Sequence, residues 1–242
     1  MGKVPNGFMS GFIGKVGGVV GYKNRYGFLL RTKSTPKNPQ TPGQMAQRNG
    51  LAILSTLCAG IIDPIEMNCG YPWHREGFSA GLFTRPLFMK RNYAAGVVLG
   101  HEPDNMSLDY TSLIAAPRSG RFVPNVVQRG SLLNDDPNTI SVSWDDNSSA
   151  SGASGADSVR VICICPEMIG TGESFIVIGG GSRTDVGADV VCPSSWHNKK
   201  VHVYVSCVSV TSDYPDADNP QDRMYGYPSS GSTYYGNISL AV

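Results

Sequence analysis

The feature that most constrains the fold is a series of short, alternating segments in the second half of the chain. Ile140, Val142 and Trp144 alternate with Thr and Ser, which predicts a strand with one buried face. Similar patterns predict further strands at 159–165, 174–178, 188–192, 201–210 and 234–242. Strands at this spacing, joined by Gly-, Ser- and Asp-rich connections, are typical of an immunoglobulin-like β-sandwich. We expect Trp144 to lie in its core.

Composition supports a mainly β protein. The 242 residues include 29 Gly and 16 Pro, and only 16% are charged, which favours turns and strands over long surface helices. The N-terminus has no uninterrupted apolar core of a secretory signal, and the longest apolar runs, such as Leu51 to Leu54, are too short for a membrane span. We therefore expect a soluble protein made in the cytoplasm, with no membrane partner.

The first thirty residues predict a glycine-rich hairpin. Two β-prone runs flank the turn Asn24–Gly27, and basic residues follow the second run. The many glycines weaken such a hairpin, because Gly loses more entropy than other residues and offers nothing to pack. We expect it to need a partner sheet, and we identify it as an assembly arm whose candidate contact residues are Lys15, Val16, Val19, Val20, Tyr22, Lys23, Arg25, Arg31 and Lys33.

A Pro-punctuated linker and a helix follow the hairpin. Thr41 is placed as the N-cap, Pro42 as the first helical residue and Gln44 as the reciprocal partner of a capping box. The apolar spacing predicts a helix over 42–59, with Gly60 as its stop signal. We take Thr41, Gln44, Gln47 and Arg48 as a second set of candidate residues at the helix start.

The middle of the chain is less patterned. We predict a short helix near 84–98 and an extended segment at 106–110. Pro, Ser and Gly cluster at 117–121, which favours a domain boundary there. The predicted organisation is an N-terminal assembly domain over 1–116 and a sandwich over 117–242.

The sequence offers no enzymatic or metal motif. The glycines of residues 11–21 lack the G-K-[ST] ending of a phosphate-binding loop, and Gly179–Gly181 predict a long hairpin loop. The four histidines lack metal-ligand spacing, and no G-x-S-x-G nucleophile motif is present. We expect the six cysteines to be free buried thiols. We predict no catalytic, cofactor-binding or metal-binding residue and no cofactor.

Charge is segregated along the chain. Residues 1–62 contain eight Lys/Arg and no Asp or Glu, whereas residues 134–242 contain thirteen acids and five bases, so the two segments carry +8 and −8. The basic segment could contact nucleic acid, dock on the acidic surface of another subunit, or be a solvated face. We favour subunit docking, because the hairpin needs a partner and the opposite charge lies on the same chain.

Motifs along most of the chain carry a resemblance. The run Gly14–Tyr22 and the run Asn38–Arg48 resemble the pattern G-K-x-G-x-V-V, a basic hairpin, and N-P-x-T-x-x-Q-x-x-Q-R opening a helix. This pattern is that of an uncharacterised family of Bacteroidetes genomes, their prophages and metagenomic phages, with a β-rich C-terminal domain. The similarity continues in 108–113, 140–147, 193–196 and 201–205. The resemblance implies no catalytic residue.

A Tyr-rich tail suggests a second kind of surface. Tyrosines among Asp, Asn and Ser resemble the composition of binding loops, in which Tyr supplies rigid contact area. The candidate residues are Asp213, Tyr214, Asp216, Asp218, Tyr225 and Tyr227. Packing at the end of the sandwich is the alternative explanation.

These observations predict a non-enzymatic structural protein of a phage virion, such as a capsid decoration, head fibre, connector or tail-associated protein. Its expected partners are copies of itself and other virion proteins, and its expected location is the virion, or otherwise the cytoplasm. The alternatives are a surface module that binds a glycan or host through the Tyr-rich loops, and a protein that contacts nucleic acid through the basic arm.

Overall fold

The computed structural model describes residues 2–3, 13–25, 27–33, 40–120, 123–134, 136–209 and 227–240. The chain forms two compact units, Met1–Thr41 and Pro42–Val242, which we call the arm and the body. The prediction of a mainly β protein with an N-terminal hairpin, a helix and a C-terminal sandwich is confirmed.

The arm is a small antiparallel sheet. Its strands are β1 (Gly2–Lys3), β2 (Gly14–Val16), β3 (Val19–Asn24) and β4 (Gly27–Thr32), in the order β1-β4-β3-β2. The predicted hairpin corresponds to β3 and β4, and β2 adds a further strand through the turn at Gly17–Gly18. Gly17 has a φ of 55°, a left-handed conformation that costs glycine little.

Three helices open the body. They are α1 (Pro42–Asn68), α2 (Pro72–Ala80) and α3 (Thr84–Ala94). The start of α1 at Pro42 is as predicted, but the helix continues well past the expected stop at Gly60. Gly60 has a packing role instead, because a Cβ there would lie 1.9 Å from Cζ of Phe175.

The remaining strands belong to the body. They are β5 (Val98–Leu99), β6 (Ser107–Leu108), β7 (Arg118–Ser119), β8 (Val127–Gln128), β9 (Thr139–Asp145), β10 (Ser158–Ile164), β11 (Ile176–Ser182), β12 (Gly187–Val191), β13 (Lys200–Val208), β14 (Ser229–Ser230) and β15 (Thr233–Ser239). The large sheet has the order β11-β10-β13-β14-β7, with β15 also paired to β13, and the small sheet has the order β12-β9-β8. Strands β5 and β6 form a separate pair.

The body has three layers, with the large sheet in the middle. On one side, Ile162, Ile164 and Tyr204 pack with the helices. On the other side, alternate residues of β10 and β13 pack against the small sheet and Trp144. Strand β13 is therefore buried at every position from Val201 to Val208. All six cysteines are free and buried, as predicted.

Two expectations about the body differ from the structure. Gly179–Gly181 do not form a hairpin loop but lie in β11, paired to β10 along its whole length. A Cβ at Gly180 would lie 1.9 Å from the Val159 carbonyl oxygen, so the glycines allow two strands to approach. We expected a domain boundary near 117–121, but the compact units separate after Thr41. The helices share a core with the large sheet, and both therefore belong to one unit.

Helix α1 is long and apolar enough to cross a membrane, by length and composition alone. One such helix is weak evidence for a membrane span, since the core helix of a soluble protein has the same properties. In this structure Leu54, Leu57, Ile61 and Ile65 of α1 are buried in the body. The apolar character of α1 is thus accounted for by the core that it shares with the large sheet.

Candidate assembly surface

The arm sheet has no core of its own among its described residues. Among the residues between Ile13 and Lys33 whose burial is described, Gly21 alone is buried, and every described apolar side chain there is half-buried or exposed. Val16 is 57% exposed. By contrast, all the buried apolar side chains of the described chain lie in the body, from Ala46 onward. A sheet normally buries at least one face against another layer.

One face of the arm sheet is mainly apolar. The register pairs Val16 with Val19, Gly21 with Leu30, and Lys23 with Phe28. Directly paired residues project to the same side of a sheet, and alternate residues of one strand do so as well. We call the side formed by Val16, Val19, Lys23, Phe28 and Leu30 the apolar arm face. Lys23 is the one cation among these five residues, and its Nζ lies 5.5 Å from the ring centroid of Phe28.

The opposite face is basic and aromatic. It carries Lys15, Val20, Tyr22, Leu29 and Arg31, and we call it the basic arm face. The guanidinium carbon of Arg31 lies 5.7 Å from the Tyr22 ring centroid, within the range of a cation–π contact. Lys15 and Arg31 are exposed. This face therefore combines positive charge with an aromatic platform.

The other arm candidates lie at the margins of the sheet. Arg25 is exposed in the turn between β3 and β4. Lys33 follows β4 and extends the pairing, because its backbone N–H donates to the Gly18 carbonyl at 2.7 Å. The structure thus brings the predicted arm residues together in one sheet but divides them between two faces.

The candidate residues at the helix start lie on one side of α1. Gln44, Gln47 and Arg48 are exposed, whereas Gly50 is buried. A Cβ at Gly50 would lie 2.7 Å from Cγ1 of Val98, so the side of α1 that carries Gly50, and not the side of the candidate residues, packs closely on β5. Thr41 is exposed and directly precedes the helix. The polar positions of the motif therefore face solvent in this chain.

Most of the Tyr-rich loop lies outside the described residues, including Asp213, Tyr214, Asp216, Asp218 and Tyr225. Its binding role stays a prediction. Tyr227 is described, and its backbone N–H donates to the Gly70 carbonyl at 2.7 Å. This bond attaches the end of the loop to the segment between α1 and α2.

Sequence reasoning missed a surface on the small sheet. The outward positions of β9 are Thr139, Ser141 and Ser143, because Ile140, Val142 and Trp144 point into the core. Around them lie Val127, Leu133 and Val191, which are 61%, 48% and 71% exposed. Register places Val191 opposite Thr139, and Leu133 bridges to Ser141. The sequence contained a signal for this surface, because Val190 and Val191 are adjacent in one strand and therefore point to opposite faces, so that only one of them can face the core.

Charged residues complete this small-sheet outer face. Asp189 lies opposite Ser141, and Asp145 lies opposite Val127. Arg129 is 4.0 Å from Asp145, and both side chains are largely exposed, so this pair contributes little stability. The surface therefore combines three exposed apolar side chains with two carboxylates and one guanidinium.

A buried polar network was also missed by sequence reasoning. Nη2 of Arg183 donates to Oδ2 of Asp157 at 3.0 Å and to the Pro124 carbonyl at 2.9 Å, and both side chains of the ion pair are excluded from solvent. The Trp144 indole donates to the Arg183 carbonyl at 3.1 Å. Because no part of this pair reaches the surface, we assign it a structural role, joining loops at one end of the sandwich.

The helix-facing side of β13 carries a histidine in an aromatic setting. His202 stacks on Tyr110 with ring centroids 4.6 Å apart, and its Nδ1 lies 3.0 Å from the Tyr234 hydroxyl. Burial lowers the pKa of His202 to about 4; nearby Lys200 lowers it further and Asp109 opposes the shift. In the part of the chain that the structure describes, no three His, Cys, Asp or Glu side chains form a metal-binding group.

The fold and these surfaces define a three-layer β-rich body, joined in sequence to a small sheet whose described residues form no core of their own. The chain belongs to DUF6266, a family of unknown function whose family model matches residues 11–215. The expected membership of an uncharacterised family is thereby confirmed. A search of curated proteins finds no match to the chain.

Proposed function

We propose that this protein is a non-enzymatic structural component of an assembly, and specifically of a phage virion, that oligomerises through its arm sheet. The observation that carries the proposal is that the described residues of the arm sheet form no core of their own. Four apolar side chains share one face of a sheet on which no described apolar side chain is buried. The virion assignment rests on the sequence resemblance described above.

Physical chemistry favours a partner for this face. Covering a Val, Leu or Phe side chain that was exposed contributes about 1.5–3 kcal/mol, and half-buried side chains contribute proportionally less. Strands β1 and β2 have only two and three residues, so most of the arm sheet is the hairpin of β3 and β4, and isolated two-stranded hairpins are marginally stable in water. A partner would supply the layer that the arm lacks and would stabilise its strands at the same time.

The charge of the arm favours an acidic partner. Residues 1–62 contain no Asp or Glu, so Lys15, Lys23 and Arg31 have no carboxylate within their own unit to pair with. Complementary charge across an interface increases the association rate and fixes orientation. The acidic second half of the same chain is a suitable source of that charge.

The test is the mass of the full-length protein by size-exclusion chromatography with light scattering. We expect an oligomer that becomes a monomer in Leu30→Asp and in a variant lacking residues 1–41. Phe83→Asp is the matched control, because Phe83 is 87% exposed on the helical layer of the body. It should keep the mass of the unmodified protein. A full-length protein that is monomeric at every accessible concentration would overturn the proposal.

A second function, nucleic-acid contact, is favoured by the basic arm face. Lys15, Arg31 and the ring of Tyr22 combine phosphate attraction with a stacking platform of the kind that binds single strands. Binding of an oligonucleotide by the full-length protein should weaken steeply with salt, and Lys15→Gln/Arg31→Gln should weaken it further. Absence of retention on DNA at low salt excludes this function.

A further inference from the structure

The small-sheet outer face has an unusual composition for a solvated sheet. Its three exposed apolar side chains, Val127, Leu133 and Val191, come from three separate segments and surround a centre of Thr and Ser. Register places all three on the same side of the small sheet, where they are accessible to a partner. The question is which partner fits this surface.

Charge distinguishes this surface from the other exposed apolar region of the body. Phe83 directly precedes α3, which carries Arg85, Lys90 and Arg91. Arg85 lies 3.9 Å from Asp63, and Arg91 is ion-paired with Glu76, so the charges near Phe83 largely offset one another. The small-sheet outer face has Asp145 and Asp189 against the single Arg129, so its net charge is negative.

Shape also agrees with a sheet as the partner. Thr139, Ser141 and Ser143 are short side chains along the middle strand, so the centre of the surface is shallow. The apolar arm face has the same character, with Gly21 at its centre and apolar side chains around it. Two antiparallel sheets pack face to face at about 10 Å, with their side chains interdigitating.

We infer that the apolar arm face docks on the small-sheet outer face of a second copy of this chain. Apolar residues on both surfaces become covered, and Lys23 comes near the carboxylates of the partner copy. This inference rests on the proposed function, and it names the acceptor surface that the proposed function leaves open.

The interface is of the heterologous kind, because the two surfaces are different. Each copy then offers one arm and one acceptor surface, and successive copies join in a ring or in an open chain. A variant that loses its arm keeps its acceptor surface, and a variant that loses its acceptor surface keeps its arm. Mixing one variant of each kind therefore tests whether the remaining arm of one binds the remaining acceptor surface of the other.

The experiment uses full-length Leu30→Asp and full-length Val191→Arg. Each variant alone should be a monomer by light scattering, because each lacks one of the two surfaces. An equimolar mixture should form a complex of two chains and no larger species, since only one productive contact remains. Phe83→Arg is the control for adding a cation to an exposed apolar position of the body, and it should oligomerise normally.

A charge exchange sharpens the test. Lys23→Glu should weaken association about tenfold, as expected for one close charge pair, and Asp189→Lys on the partner should recover most of that loss. If Leu30→Asp is monomeric but Val191→Arg oligomerises like the unmodified protein, the acceptor surface is wrong and the proposed function stands. If the unmodified protein is itself monomeric, the proposed function fails. A mixture that stays monomeric also overturns the inference.

Discussion

The arm sheet and the large sheet of the body are both antiparallel and both contain glycines, yet they are stabilised in opposite ways. Strand β13 is buried at every position from Val201 to Val208, between a layer of helices and a second sheet. In β3 of the arm, Gly21 alone is buried among the residues whose burial is described. The comparison teaches that similar strand-forming sequences differ in burial according to the layers that cover them, and no described apolar side chain of the arm is buried by such a layer.

Glycines show the same difference at the level of single residues. In the body, Gly60, Gly179 and Gly180 lie where a Cβ would meet a ring, a valine or a backbone carbonyl. In the arm, a Cβ at Gly17 or Gly18 would have no atom within 4 Å. These three glycines of the body are required by close packing, whereas Gly17 and Gly18 of the arm serve a turn.

The largest effect should come from the shared core of the helices and the large sheet. Leu54→Ala removes a fully buried side chain of α1 and should lower the free energy of unfolding by about 4 kcal/mol. Leu51→Ala, on the exposed side of the same helix, should change it by less than about 1 kcal/mol. Chemical denaturation measures both. Equal effects would contradict a body in which the helices and the large sheet share one core.

A glycine exchange sharpens the comparison between the two sheets. Gly180 has a φ of 145° and lies against the Val159 carbonyl, so Gly180→Ala should cost about 2–3 kcal/mol through strain and displacement of β10. Gly18→Ala, in the open turn of the arm, should change the stability of the body by less than about 0.5 kcal/mol. Thermal unfolding of the two variants checks this. If both variants unfold at the same temperature as the unmodified protein, packing does not explain the glycines of β11.

A smaller and pH-dependent effect should come from His202. Its pKa in the folded protein, about 4, lies below the ordinary value of 6.5, so the unfolded chain binds more protons between these values. Stability should therefore rise with pH from about 4 to 6.5 and be lost as the pH falls through that window. In His202→Gln the rise should be shallower, whereas His101→Gln, in an exposed loop, should keep it. The free energy of unfolding is measured by urea denaturation at each pH. If it changes equally with pH in His202→Gln and in the unmodified protein, burial of His202 does not contribute to the pH dependence.

The sequence predicted elements wherever a local pattern decides the structure. Alternation placed β9 and β10 correctly and divided Val161 from Ile162 between two cores. The capping motif placed the start of α1 at Pro42. These predictions succeeded because a strand or helix with one apolar side carries its own signal in the chain.

The failures concern features that depend on distant residues. Gly60 was expected to end a helix, and Gly179–Gly181 were expected to form a loop, but each lies where a distant part of the chain approaches closely. The ion pair of Asp157 and Arg183 joins residues 26 positions apart and has no local pattern. The adjacent valines 190 and 191 signalled one outward apolar position, but the small-sheet outer face joins three separate segments, and no single strand reveals that combination.

The separation after Thr41 has a consequence for how such a protein can change. Since no described buried apolar side chain precedes Ala46, we expect substitutions at the described positions of the arm to leave the folding of the body nearly unchanged. Selection can therefore alter the recruitment of neighbours through the arm while the three-layer body, under its own constraints, stays the same.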